Sequence, residues 1–349
     1  MVRPFDLRDL ALIRRLDERG VSLHTMSALA DNFHPLRGAI MSMLVGGEFP
    51  TFIWKMDNGD RAGFIQLRIP NGANQAHVSY ISPRCGGDSG DNGAHGDGLA
   101  GDPVLRSPDC AIWLDLLDQA IVGAGQRGVH HVIAEVDERN PDVQVILRRA
   151  GFAVYTRQDV WAVGAADYRP QGSAGRALTR RSQTDEWDIQ LLYANTVPRL
   201  VQLVEPLPSA GDTEGWVMRE GDELAAFVSI RQGAVATWMR LFIHPDAETE
   251  TDEIVAAAMD VSFAREPERV YCCVRRYESW LTGALARRGF AVFGSQAVMV
   301  RHTVHHTPRV VPEAAVALEG QRVSASSPFV RNFQGPKRNG KQRDLTGGR

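Results

Sequence analysis

Glu135 is the side chain of this sequence best placed to move a proton. It sits in an apolar run from Val129 to Val136, where Ile133, Glu135 and Asp137 share one strand face, opposite Val132, Ala134 and Val136. A carboxylate at the open end of a central strand has its pKa raised by burial and can then serve as a general base. The same pattern also describes a solvated strand end beside Asp137 and Glu138. The histidines invite a metal reading at His130-His131 and at His302, His305 and His306. Adjacent residues of a regular strand point to opposite faces, so no metal is expected there. The Asp- and Gly-rich segment from Asp88 to Asp102 lacks the register and closing glutamate of a calcium loop. The four cysteines, Cys85, Cys110, Cys272 and Cys273, lack the spacing of a zinc site or a disulfide framework and are expected as free thiols.

The elements that must position these residues occur twice. The run from Leu147 to Val163 reappears from Leu285 to Arg301 without a gap, with eight identities in seventeen positions, where ordinary composition gives about one. Leu147, Arg149, Gly151, Phe152, Ala153, Val154, Gln158 and Val160 recur 138 residues later. A period of that length marks a duplicated domain, because solenoid repeats span roughly 20 to 50 residues. The first copy reads as a strand near Val2–Pro4, a helix over 9–19, and a hairpin turning at Asn58-Gly59 between 52–56 and 62–68. A strand over 77–82, a helix over 109–126, a strand over 129–136 and a helix over 141–150 ended by Gly151 follow. The second copy repeats the order: helical segments between 185 and 205, a hairpin at 220–222, a strand over 236–243, a helix over 251–265, a strand over 269–274, a helix over 277–288 and a closing strand to 302. The fold class is α/β, with a twisted mixed sheet flanked by helices in each copy. The boundaries are an N-terminal domain 1–164 carrying a long Gly/Asp-rich loop 84–108, a linker 165–175, a C-terminal domain 176–303 and a basic tail 304–349 expected to be disordered.

With 44% hydrophobic and 23% charged residues, the composition is that of a soluble globular protein. No apolar run reaches the roughly 18 residues needed to span a bilayer, and the start lacks the apolar core of a signal peptide, so a cytoplasmic location without membrane contact is expected. A net charge of −3 over 349 residues argues against a nucleic-acid-binding body, the basic tail apart.

This order of elements and the Gly-Phe strand entry resemble the GNAT acetyltransferase superfamily, whose mixed sheet splays at its middle to hold acetyl-CoA. Members often show Asn, then a small apolar residue at three, an apolar residue at six, Tyr at seven, a basic residue at nine and Gly-Phe at eleven and twelve. Asn140, Val143, Ile146, Leu147, Arg149, Gly151 and Phe152 fill those places, all fitting except the tyrosine. In the second copy Glu278, Leu281, Ala284, Leu285, Arg287, Gly289 and Phe290 also lose the asparagine. The resemblance covers both copies to about residue 303. It implies transfer of an acetyl or acyl group from acyl-CoA to an amine of a small molecule or peptide, with the N-terminal copy the catalytic half. It places the backbone of Ser79, Tyr80 and Ile81 and the side chain of Asn140 at the acetyl-CoA, and Glu135 as the base. The family's acid is absent at Leu147 and Leu285, which cannot donate a proton; Tyr155 is the candidate replacement, although a tyrosine beside Val154 also suits half-buried packing.

Two loops depart from the family. The first copy has the segment Arg84–Pro108, about 24 residues longer than its counterpart, with Asp88, Asp91, Asp97 and Asp102 set where phosphates would dock. The second copy reads His244-Pro245-Asp246-Ala247-Glu248-Thr249-Glu250, acidic and without glycine, so CoA is not expected there. A non-catalytic binding or scaffolding protein that keeps the sheet and has lost the phosphate loop and the acid is the alternative.

Overall fold

The repeat at Leu147–Val163 and Leu285–Arg301 forms two long strands, β7 (Ala153–Gly164) and β13 (Ala291–His302), which lie side by side and antiparallel at the middle of one sheet. In the computed structural model the described residues are 2–56, 61–70, 72–85, 108–170, 178–208, 211 and 213–303, and all fall within one unit, Met1–His305. Loop 86–107, residues 171–175 of the linker and the tail from 304 lie outside the described residues, as do the expectations placed on them.

The first half contributes β1 (Val2–Pro4), α1 (Leu10–Leu16), β2 (Val21–Ser22), α2 (Thr25–Leu29), α3 (Pro35–Met41), β3 (Thr51–Lys55), β4 (Ala62–Arg68), β5 (Gln75–Ser82), α4 (Pro108–Gly125), β6 (His131–Asp137) and α5 (Pro141–Arg149) before β7. The second contributes β8 (Thr179–Arg180), α6 (Glu186–Thr196), α7 (Arg199–Gln202), β9 (Glu214–Glu220), β10 (Glu223–Gln232), β11 (Thr237–Ile243), α8 (Thr251–Phe263), β12 (Arg269–Arg275) and α9 (Thr282–Arg287) before β13. The strand order is β1-β3-β4-β5-β6-β13-β7-β12-β11-β10-β9-β8, with β2 paired to β5. Two expected helices are partly 3-10: that over 9–19 is α-helical at Leu10–Leu16 and 3-10 at Asp17–Arg19, and that over 277–288 is 3-10 at Arg276–Leu281, with a break at Glu278, and α-helical at Thr282–Arg287.

Each half has therefore given its last strand to the other. β13 pairs with β6 of the first half, and β7 pairs with β12 of the second, both antiparallel. The registers repeat: His131 faces His302 in one pair and Arg269 faces Gly164 in the other. Between β7 and β13, Gln158 faces Gln296, its own counterpart 138 residues on, and the two amides hydrogen-bond at 2.7 Å. The register shifts flanking this pair leave Tyr155 and Phe293, again 138 residues apart, as the extra residues. A pseudo-twofold axis thus passes between the two glutamines.

The amphipathic helices sort onto the faces as their spacing predicts. In α4, Ile112, Trp113, Leu116, Leu117, Ala120, Ile121 and Ala124 are buried against Val132, Ala134 and Val136. On the opposite face the halves cross over. Ile189, Leu192, Tyr193 and Val201 of α6 and α7 pack on Ile133, Tyr155, Val298 and Val300, while Ala30, with Met26 and Leu29 of α2, packs on Val160, Trp238 and Tyr271. Both helix ends before the repeated strands close on a glycine in the left-handed region, Gly151 at φ 83° and Gly289 at φ 86°, where a Cβ would be strained. The cysteine expectation is corrected in part: Cys85 and Cys110 form a disulfide, with Cα atoms 5.0 Å apart, because the end of β5 and the first turn of α4 are neighbours in space although 25 residues apart in sequence. Cys272 and Cys273 are buried free thiols.

Candidate active site

Two parallel strand pairs hold the sheet's clefts. β5 and β6 pair only over Gln75–His77 and His131–Ile133, and then diverge; β11 and β12 pair only over Thr237–Met239 and Val270–Cys272, and diverge likewise. Beyond each divergence a cleft opens. The first, about 360 Å³, is lined by Ser22, Thr25, Arg84, Glu135, Asn140 and Gln296, among others. The second, about 150 Å³, is lined by Leu241, Ile243, Glu248, Tyr277, Glu278 and Trp280.

Glu135 and Asn140 both line this one cleft. Glu135 is half-buried, and its Oε2 accepts the Thr25 amide at 2.7 Å. Burial raises its pKa, and the Thr25 hydrogen bonds oppose that rise only in part. Asn140 stands at the N-cap of α5 without using its side chain as a cap, which leaves that amide available at the lip. Arg139 is tied to Asp137 through Nη2 and Oδ2 at 2.6 Å. The second half completes the wall with Phe293 and Gln296, and the Gln296 amide donates to the Thr25 hydroxyl at 2.6 Å.

The other expected site residues lie elsewhere. Ser79, Tyr80 and Ile81 do not offer a free edge, because β2 occupies it: Val21 faces Ile81 and Ser22 faces Tyr80, and the Leu23 amide donates to the Ser79 carbonyl at 3.3 Å. The Leu23 carbonyl in turn accepts from the Glu135 amide at 2.8 Å, so this segment bridges the splay. Gly20 allows the approach, since a Cβ there would meet the Tyr80 ring at 2.2 Å and the Ile81 carbonyl oxygen at 2.6 Å. The Tyr80 side chain turns away to donate to the Asp17 carbonyl and stack on Phe64, and burial pushes its pKa up to about 12. Tyr155 is buried and donates to Glu205; burial and that carboxylate raise its pKa well above 10. It is not among the residues that line the cleft.

Sequence reading missed the polar cluster beneath the cleft. Burial would raise the Glu205 carboxyl, but Arg275 and Arg240 outweigh it and carry the pKa down to about 2. Arg275 also donates to Gln158 at 2.6 Å, which ties the cluster to the pseudo-twofold axis. His24 and His77 lie above it with ring centroids 4.3 Å apart and their planes tilted by 35°. None of these residues sits in a motif, and they converge only through the crossing of the two halves. The two residues of β2 were too short a signal beside the helix before them.

No protein-family model matches the sequence, and no curated protein does. Among solved structures the chain is similar to a GCN5-related N-acetyltransferase from Sphaerobacter thermophilus, at 13% identity and a TM-score of 0.52 over 87% of this chain and 96% of that one. It is also similar to a tandem GNAT protein from the clavulanic acid biosynthesis pathway, at 12% identity and a TM-score of 0.50 over 87% and 99%. A glucosamine N-acetyltransferase region of a fungal multi-domain β-N-acetylglucosaminidase matches at 11% identity and a TM-score of 0.53, over 86% of this chain and 38% of that one. At such identities the likeness is one of fold.

Proposed function

From a chain that carries the GNAT fold twice in one sheet, we propose an N-acyltransferase with a single working centre in the N-terminal cleft, taking its acyl group from acyl-CoA and passing it to a primary amine of a small molecule or peptide. The observation that carries this reading is the cleft itself, open beyond the β5–β6 splay, with a half-buried carboxylate of raised pKa on its wall. Acyl-CoA would supply the activated thioester. The β5 edge does not fit its pantetheine arm, since β2 already pairs there; the space that fits is beside β2, between Ser22 and Asn140, with Arg84 at the mouth. Glu135 would take the proton from the incoming ammonium, and its raised pKa brings it closer to the task. Gln296 holds the Thr25 hydroxyl, and Thr25 holds Glu135, so the second half positions the base. The second cleft, smaller and bordered by Glu248 and Glu278, would repel CoA phosphates.

A non-catalytic binding role is the second reading, favoured by β2 on the β5 edge and by Tyr155 held on Glu205. A thiol-release assay with acetyl-CoA and a panel of primary amines separates the two. Turnover that falls about 100-fold or more in Glu135→Gln, with acetyl-CoA binding retained, is the expected result. Acetyl-CoA binding without turnover on any amine supports the second reading.

A further inference from the structure

His24, just before α2, His77 on β5 and Glu135 on β6 converge at the base of the splay, and their ligand atoms lie within 4.8 Å of one another. His24 and Glu135 are already oriented. The His24 Nδ1 lies 2.7 Å from the Ser27 hydroxyl, to which Arg68 donates at 3.3 Å, so the other ring nitrogen keeps its lone pair when Nδ1 carries the proton. Glu135 is held by the Thr25 amide. The buried Nδ1 of His77 has no hydrogen-bond partner among the described residues.

Charge pairing around the cluster leaves one gap. Arg275 and Arg240 are answered by Glu205, Arg231 by Asp31 at 3.0 Å, and Arg68 by Glu48 at 3.9 Å. Glu135 has no ion-pair partner among the described residues, and it is flanked by two imidazoles. Two imidazole nitrogens and a carboxylate oxygen are a donor set that a divalent transition metal takes.

We propose that His24, His77 and Glu135 form a binding site for a divalent transition-metal ion, zinc being the first choice for two imidazoles and one carboxylate. Tetrahedral ligands about 2.1 Å from a zinc ion stand about 3.4 Å apart, so side-chain shifts of up to about an ångström close the set. The site shares Glu135 with the acyl-transfer reading, and metal content can be measured whether or not that reading holds. A metal would take Glu135 out of proton transfer, which is why the test reads metal content and not activity.

The full-length protein, stripped with chelator, is loaded with Zn²⁺, passed through gel filtration and analysed for metal. His131 and His302 form a second, partly exposed histidine pair, with Nδ1 atoms 2.9 Å apart, so His131→Ala serves as the control. The wild type and His131→Ala should each keep about one equivalent, and Glu135→Gln and His77→Ala should keep none. Zinc should raise the Tm of the wild type and leave that of Glu135→Gln unmoved, and cobalt loaded into the wild type should give visible d–d bands. A wild type that keeps no metal overturns the site, as does a folded Glu135→Gln that keeps as much as the wild type.

Discussion

Glu135 was legible because alternation along an apolar strand puts Ile133, Glu135 and Asp137 on one face, and Ile133 does lie opposite Val132, Ala134 and Val136 in the folded chain. Its environment was not, since Thr25 reaches it from 110 residues before and is itself held by Gln296, 161 residues after Glu135. A carboxyl with a raised pKa works as a base only once ionised. The pH–rate profile should therefore rise with an apparent midpoint above the ordinary glutamate value of 4.5, and Glu135→Gln should remove that limb. The same shift makes the ionised form unfavourable to folding. The stability cost is absent below 4.5 and grows as pH rises through the folded pKa, so Glu135→Gln should melt no lower than the wild type at neutral pH. Glu205 has the opposite sign. With its folded pKa near 2, it contributes about 3 kcal/mol above pH 4.5, which is lost as pH falls toward 2. Glu205→Gln leaves Arg275 and Arg240 buried without their counter-charge, and denaturant titration should show a loss of about 3–5 kcal/mol.

At the scale of elements, most strands and helices followed from periodicity and turn chemistry. β3 pairs antiparallel with β4 and β9 with β10; the Glu220–Asp222 turn joins the second pair as expected, while Asn58-Gly59 lies outside the described residues. β2 escaped notice because two residues carry no period, and its place is set by the close approach at Gly20. Gly20→Ala should push the Tyr80 ring and the Ile81 carbonyl away from β2. Hydrogen exchange at the Val21 and Leu23 amides should then quicken relative to the wild type, and unchanged protection would show that β2 is not seated by that contact. The Cys85–Cys110 bridge went unread for a related reason: sequence spacing says nothing about the closeness of a strand end and a helix start. It closes a loop of 25 residues, so reduction should cost about 3 kcal/mol and lower the denaturant midpoint; an unchanged midpoint would remove the bridge from the account.

The whole molecule shows why a duplication was visible in sequence and its consequence was not. Eight repeated identities announce two related strands, but which neighbour each strand takes depends on partners of equal quality in either half. The exchange of β7 and β13 makes one continuous sheet, centred on Gln158 and Gln296, and lets the second half build the wall of the first half's cleft. No described helix is long and apolar enough to cross a membrane. Two copies of a fold with one serviceable cleft make a numerical claim, and isothermal titration of acetyl-CoA into the full chain measures that number. The account predicts one site per chain, with micromolar affinity that is lost in Arg84→Ala combined with Asn140→Ala. Two sites per chain, or no binding heat at all, would contradict it.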